Sequence, residues 1–211
     1  MIKKISDLRR NIIVARYKSQ YDLTSTFMRL QEFYESPFQN IRNCYFSLEQ
    51  FMDVYADYKG NFTYTSDFAG FNIPDYAVRN FFSIFKKDLL EKEKNLYKCL
   101  NEALKKKKFY LIGICEEEKE AIDHELAHGY YYLDSDYKND MDSITDDLHL
   151  PSIDKYLRNN MYANNVFKDE TQAYLSTDST KELSIRFNLS RSDSNVKKYR
   201  KVFRNKENSY K

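Results

Sequence analysis

Two of the chain's three histidines stand in one pentapeptide, His124-Glu125-Leu126-Ala127-His128. On a helix, residues four apart face the same way, with Cβ atoms about 5–6 Å apart. Two neutral imidazoles so placed can reach one Zn²⁺ at roughly 2.0–2.1 Å each. Glu125 stands to one side of that face, where its carboxylate can take a proton from a metal-bound water. The chemistry therefore requires a helix, and the flanks carry helix signals. Glu116, Glu117, Glu118 and Glu120 precede the motif, and carboxylates in a first turn suit the positive end of a helix dipole. Ala121, Ile122, Leu126 and Ala127 supply an apolar side. The helix is expected to end near Asp134-Ser135, with Asp136 or a neighbour capping the next one.

A catalytic zinc site takes a third protein ligand and leaves a fourth position for water. His149, the remaining histidine, sits just before Pro151 and reads as a helix-end or surface residue. It lies too far from His128 for the metzincin pattern. Glu170 is the better candidate. It lies in Lys168-Asp169-Glu170-Thr171-Gln172-Ala173-Tyr174-Leu175, which reads as a helix start. Glu170, Ala173 and Tyr174 share one face there. Two other readings stay open: Glu170 as an ordinary first-turn carboxylate, and Asp169 as the ligand in its place. A developing oxyanion needs a hydrogen-bond donor. Tyr131 and Tyr132, on the face of His128, and Tyr174 are the candidates, with Tyr174 first.

HELAH followed by a downstream helix of the form E-x-x-A resembles the short gluzincin metallopeptidases. These include the anti-repressor-type peptidases that act on bacterial and phage transcription regulators. The resemblance covers roughly residues 108–177 and rests on the two motifs. It implies His124, His128 and Glu170 as zinc ligands and Glu125 as general base. Two departures stand out. The stretch from His128 to Glu170 is longer than in the shortest members, which suggests an inserted helical hairpin. Tyr174 stands where thermolysin-type members carry an aspartate, so the residue that would supply the usual supporting carboxylate is open.

Length and composition bound the rest. A chain of 211 residues makes one domain, or one domain with an appendage. With no tryptophan, 19 tyrosines and 15 phenylalanines imply an aromatic core. Four glycines and three prolines favour long helices over tight turns. The net charge of +2 argues against the chain as a whole being a polyanion binder, and nucleic acid is expected, if at all, only through the basic C-terminal tail. Cys44, Cys99 and Cys115 are widely spaced and read as reduced thiols, with Cys115 in the core. Ile12-Ile13-Val14-Ala15 is too short for a signal peptide. No run approaches the ~18 apolar residues of a membrane span. A cytoplasmic protein is expected.

Along the chain, residues 6–57 read as helical, with Ser36-Pro37 as a stop and Ser47-Leu48-Glu49-Gln50 as a capping box. Lys59-Gly60-Asn61 reads as a turn, Phe62 to Thr65 as β-prone, and Gly70 to Pro74 as a loop. Pro74-Asp75 opens a helix whose Phe81, Phe82, Ile84 and Phe85 look like core. Asp88 to Lys108 continues as a charged helix ending in a solvated lysine run. Phe109 to Cys115 is the clearest strand. With a free edge, it offers strand addition to an extended peptide. Residues 135–148 and 152–167 read as helices, and Leu183 to Phe187 as a short strand. From Ser190 the chain is polar and basic. It reads as a solvated tail or terminal helix, with nucleic-acid or partner binding as the second reading.

The expectation is a mainly helical α+β protein with a zincin-like core, a small sheet and the HExxH helix at its site. An N-terminal helical part (1–60) packs on a metallopeptidase core (61–189), followed by a basic tail (190–211). The expected function is zinc-dependent hydrolysis of a protein or peptide. The alternatives are a non-catalytic zinc-containing regulatory or interaction protein, and a hydrolase of a non-peptide amide.

Overall fold

The structure is a computed structural model that describes residues 2–115, 121–148, 150–159 and 166–210. It is α+β and mainly helical with one small mixed sheet, as expected. Packing divides the chain into two units, Met1–Ile122 and Asp123–Lys211. The division falls inside the segment 61–189 that the sequence suggests as one core. Among the described residues, no helix is long and apolar enough to cross a membrane.

The first unit holds β1 (Ile2–Asp7), β2 (Ile12–Tyr17), α1 (Gln20–Glu35), α2 (Leu48–Lys59), α3 (Tyr64–Asp67), β3 (Gly70–Pro74), α4 (Asp75–Ile84), α5 (Glu91–Cys99), α6 (Asn101–Leu104) and β4 (Tyr110–Cys115). The sheet order is β1-β2-β4-β3. β4 runs parallel to β2 and antiparallel to β3, and all six of its residues are buried. Both of its edges are therefore occupied, and strand addition at Phe109 to Cys115 is closed. Gly113 faces α1 so closely that a Cβ there would lie 2.6 Å from Cζ of Phe27. The glycine is what lets α1 settle on the sheet.

Several local expectations are corrected. Residues 6–57 are not helical throughout, because β2 and part of β1 lie within them. Ile12, Ile13 and Val14 are β-branched and fully or nearly fully buried, and such residues pack well in a sheet interior covered on both faces. Gly70 to Pro74 is a strand, not a loop. It lies at the sheet edge, and Pro74 ends it, where a missing N–H is tolerated. Phe62 to Thr65 is not extended: Tyr64 starts the short α3 and is buried with Phe51, Tyr55 and Phe68 around its ring. Ile84 is 45% exposed, while Phe81, Phe82 and Phe85 are core as expected. The stretch from Asp88 to Lys108 breaks into α5 and α6 about Leu100. The capping box at Ser47 and Gln50 is present, and α2 ends on Gly60 at φ 84.

One buried cation organises this unit. Arg29 on α1 is fully buried. Its Nε and Nη2 donate to the two carboxylate oxygens of Glu93 at 2.9 and 2.6 Å. Nη2 also donates to the Asp88 carbonyl at 2.7 Å. Phe85 lies under the guanidinium at 4.8 Å.

The second unit is helical among its described residues. α7 (Ala121–Leu133) starts just before it and is followed by α8 (Ser135–Asp146), α9 (Pro151–Asn159), α10 (Phe167–Thr177), α11 (Thr180–Phe187) and α12 (Ser194–Asn208). Asp134 caps α8, accepting from the backbone N–H groups of Asp136 and Tyr137. α10 is packed by α8, α9 and α12, and Glu170 through Ser176 are all buried. Leu183 to Phe187 is helical, not a strand. Ser179 and Glu182 form a reciprocal capping box that starts α11, so the local signal was the S-x-x-E spacing. Of the two forms expected after Ser190, the terminal helix is present: α12 buries Val196, Tyr199 and Phe203.

Candidate metal centre

α7 places His124 and His128 on one face, as the spacing requires. Their ring centroids are 4.9 Å apart, and the two Nε2 atoms face each other at 3.2 Å. Glu170 comes from the first turn of α10. Its Oε2 lies 4.0 Å from His124 Nε2, and its Oε1 lies 3.7 Å from His128 Nε2. One ligand atom from each of the three residues falls within 4.8 Å of the others. Two donors held by a tetrahedral ion at about 2.05 Å stand about 3.3 Å apart. The imidazole pair already has that separation, and Glu170 would have to move closer to complete the set.

Electrostatics favour one positive charge at this point. Burial opposes a charge on His128, but Asp169, Glu170 and Glu125 outweigh it and push this histidine up to about 10. Burial, together with the charges of His128 and Arg186, holds His124 well below the usual histidine range. A divalent cation fits the same donors with better charge balance. Nitrogen and carboxylate donors in this number suit zinc. Glu125 is buried at 7% exposure, and its charge is among those that raise His128.

Asp169 lies outside the three residues whose ligand atoms cluster. Its Oδ1 accepts from His128 Nδ1 at 2.9 Å, on the ring edge opposite the metal-facing nitrogen. That bond fixes the ring orientation, with Nε2 turned toward His124 and Glu170. Gln172 Nε2 donates to the same Asp169 oxygen at 3.0 Å, and the Tyr137 hydroxyl donates to Gln172 Oε1 at 2.9 Å. Sequence reasoning did not single out Gln172 or Tyr137. Asp169→Ala should weaken zinc affinity about 10–100-fold while leaving the three donors in place. A competition titration against a chelator reads this directly, and unchanged affinity would remove the orienting role.

The tyrosines separate. The Tyr131 hydroxyl donates to Asp142 and accepts from Lys138, so it is committed away from the donor set. Tyr174 is buried, with its ring 4.8 Å from that of His124 and the Arg186 guanidinium 5.3 Å above it. It therefore supports the His124 ring from one side. His149 and the acidic run Glu116 to Glu120 lie outside the described residues. Comparison with protein-family models, with curated proteins and with solved structures finds no match for this chain.

Proposed function

We propose that this chain is a zinc-dependent hydrolase, a metallopeptidase with a zincin-like site acting on a protein or peptide. The observation that carries the reading is the 3.2 Å separation of two imidazole nitrogens with the Glu170 carboxylate facing both. His124, His128 and Glu170 would hold the ion. When bound, it supplies Lewis acidity for a scissile carbonyl and brings the pKa of a water to about 7. Glu125 takes the proton from the attacking water and passes it to the leaving amine. His128 is kept in register by Asp169. Tyr174, beside His124, is the donor best placed by sequence for the developing oxyanion.

The test begins with metal. Purified protein should carry about one zinc per chain, and His128→Ala should lose it, as measured by mass spectrometry. A peptide-library digest then reads hydrolysis. Full zinc in His128→Ala would discard the site. Zinc without cleavage would favour the non-catalytic regulatory reading.

A further inference from the structure

α12 has two faces of different kinds. Val196, Tyr199 and Phe203 point inward and are buried. The Tyr199 hydroxyl donates to Thr145 on α8 at 2.9 Å, and Lys206 pairs with Asp134. The outward face carries Lys197, Lys198, Lys201 and Arg204, all exposed. Lys197, Lys201 and Arg204 follow the i, i+4, i+7 spacing of one helical stripe. α12 has one acidic residue, Glu207, and it receives the Tyr130 hydroxyl. Arg191, from the turn before α12, and Arg200 both donate to the Asp178 carbonyl, at 3.3 and 2.9 Å. Burial first, then repulsion from Arg191 and Arg204, lowers the pKa of Arg200. Cations are thus gathered at this end of a chain whose net charge is only +2.

We propose that the exposed face of α12 binds duplex DNA through its phosphate backbone. The partner follows from what the face has and lacks. Four cations with no acidic side chain among them are complementary to a polyanion. An anionic membrane surface would call on the helix's apolar face as well, and that face is spent against the protein interior. Single-stranded nucleic acid is held by exposed aromatic platforms, and the outward stripe of α12 has none. A helix of 15 residues, about 22 Å long, suits a major groove about 12 Å wide. Lys, Arg, Ser and Asn on its outer side are donors of the types that meet phosphates and base edges. The inference is independent of the zinc chemistry, because none of these residues touches the donor set.

The test uses the full chain and a labelled mixed-sequence duplex of about 20 base pairs, with anisotropy followed between about 50 and 200 mM salt. The triple variant Lys197→Ala/Lys201→Ala/Arg204→Ala should lose about tenfold or more in affinity. Its plot of log affinity against log salt should be shallower by about 2.7, at 0.9 per neutralised phosphate. Zinc content and melting temperature should hold, since alanine is favourable on an exposed helix face. Lys86→Ala/Lys87→Ala/Lys107→Ala, which removes exposed lysines of the other unit, should bind as wild type. The proposal is overturned by no duplex binding at the lowest salt, by an unchanged triple variant, or by an equal loss in the control. Tighter binding to a single strand, an acidic protein or phosphatidylserine vesicles than to the duplex overturns it too.

Discussion

Glu125→Gln is expected to retain its zinc and lose about 10²–10⁴-fold in peptide hydrolysis, the usual range for removing a general base. The amide has nearly the shape of the carboxylate but cannot accept a proton. Glu125 is not one of the three residues whose ligand atoms cluster, so the metal content should stay near that of wild type. The two readouts together are decisive. Equal cleavage by wild type and Glu125→Gln would assign the activity to another base or to a contaminant. Loss of both zinc and activity would show that Glu125 helps hold the ion, contrary to its assigned role. The substitution also removes one of the negative charges that raise the His128 pKa.

The second large effect concerns stability. Arg29→Ala should destabilise the protein by about 3–5 kcal/mol, because it leaves Glu93 buried as an unpaired charge. The pair is fully enclosed, with side-chain exposures of 0% and 1%, so solvent cannot compensate. Arg29→Met/Glu93→Leu should recover much of the loss, since replacing both charges by apolar groups removes the orphan. Chemical denaturation of the two variants separates these outcomes. A double variant no better than Arg29→Ala would mean that the bonds from Arg29 to the Asp88 and Phe46 carbonyls, at 2.7 and 3.4 Å, carry the stability instead.

Different parts of this structure were legible in the sequence to different degrees. The donor set was legible because it rests on a strong local rule: the i, i+4 spacing put His124 and His128 on one face before any fold was known. Glu170 followed from a helix start with a small residue three positions on. The role of Asp169 was not legible. Its bond to His128 spans 41 residues, and nothing in local spacing marks which oxygen meets which nitrogen. β4 was visible as an apolar run because it is central and buried. β1 and β3 were not. β1 is only half-buried, and β3 is a five-residue edge strand bounded by glycine and proline. Its conformation comes from pairing with β4 and not from its own composition. α11 was misread because Leu183, Ile185 and Phe187 alternate like a strand. The capping residues on either side of its first turn were the stronger signal, and they prevailed.

The hydrogen bonds from Tyr137 through Gln172 and from His128 converge on one Asp169 oxygen. The hydroxyl gives to an amide oxygen, the amide nitrogen gives to a carboxylate, and the imidazole gives to the same carboxylate. A hydroxyl or a water in the middle could accept a proton on one side and release another. An amide has a separate donor and acceptor and does not hand protons through. The relay is thus an insulator: it holds the histidine still and conducts nothing. In the proposed hydrolase, protons released at the donor set would not drain inward along it, and Glu125 would be the group to carry them.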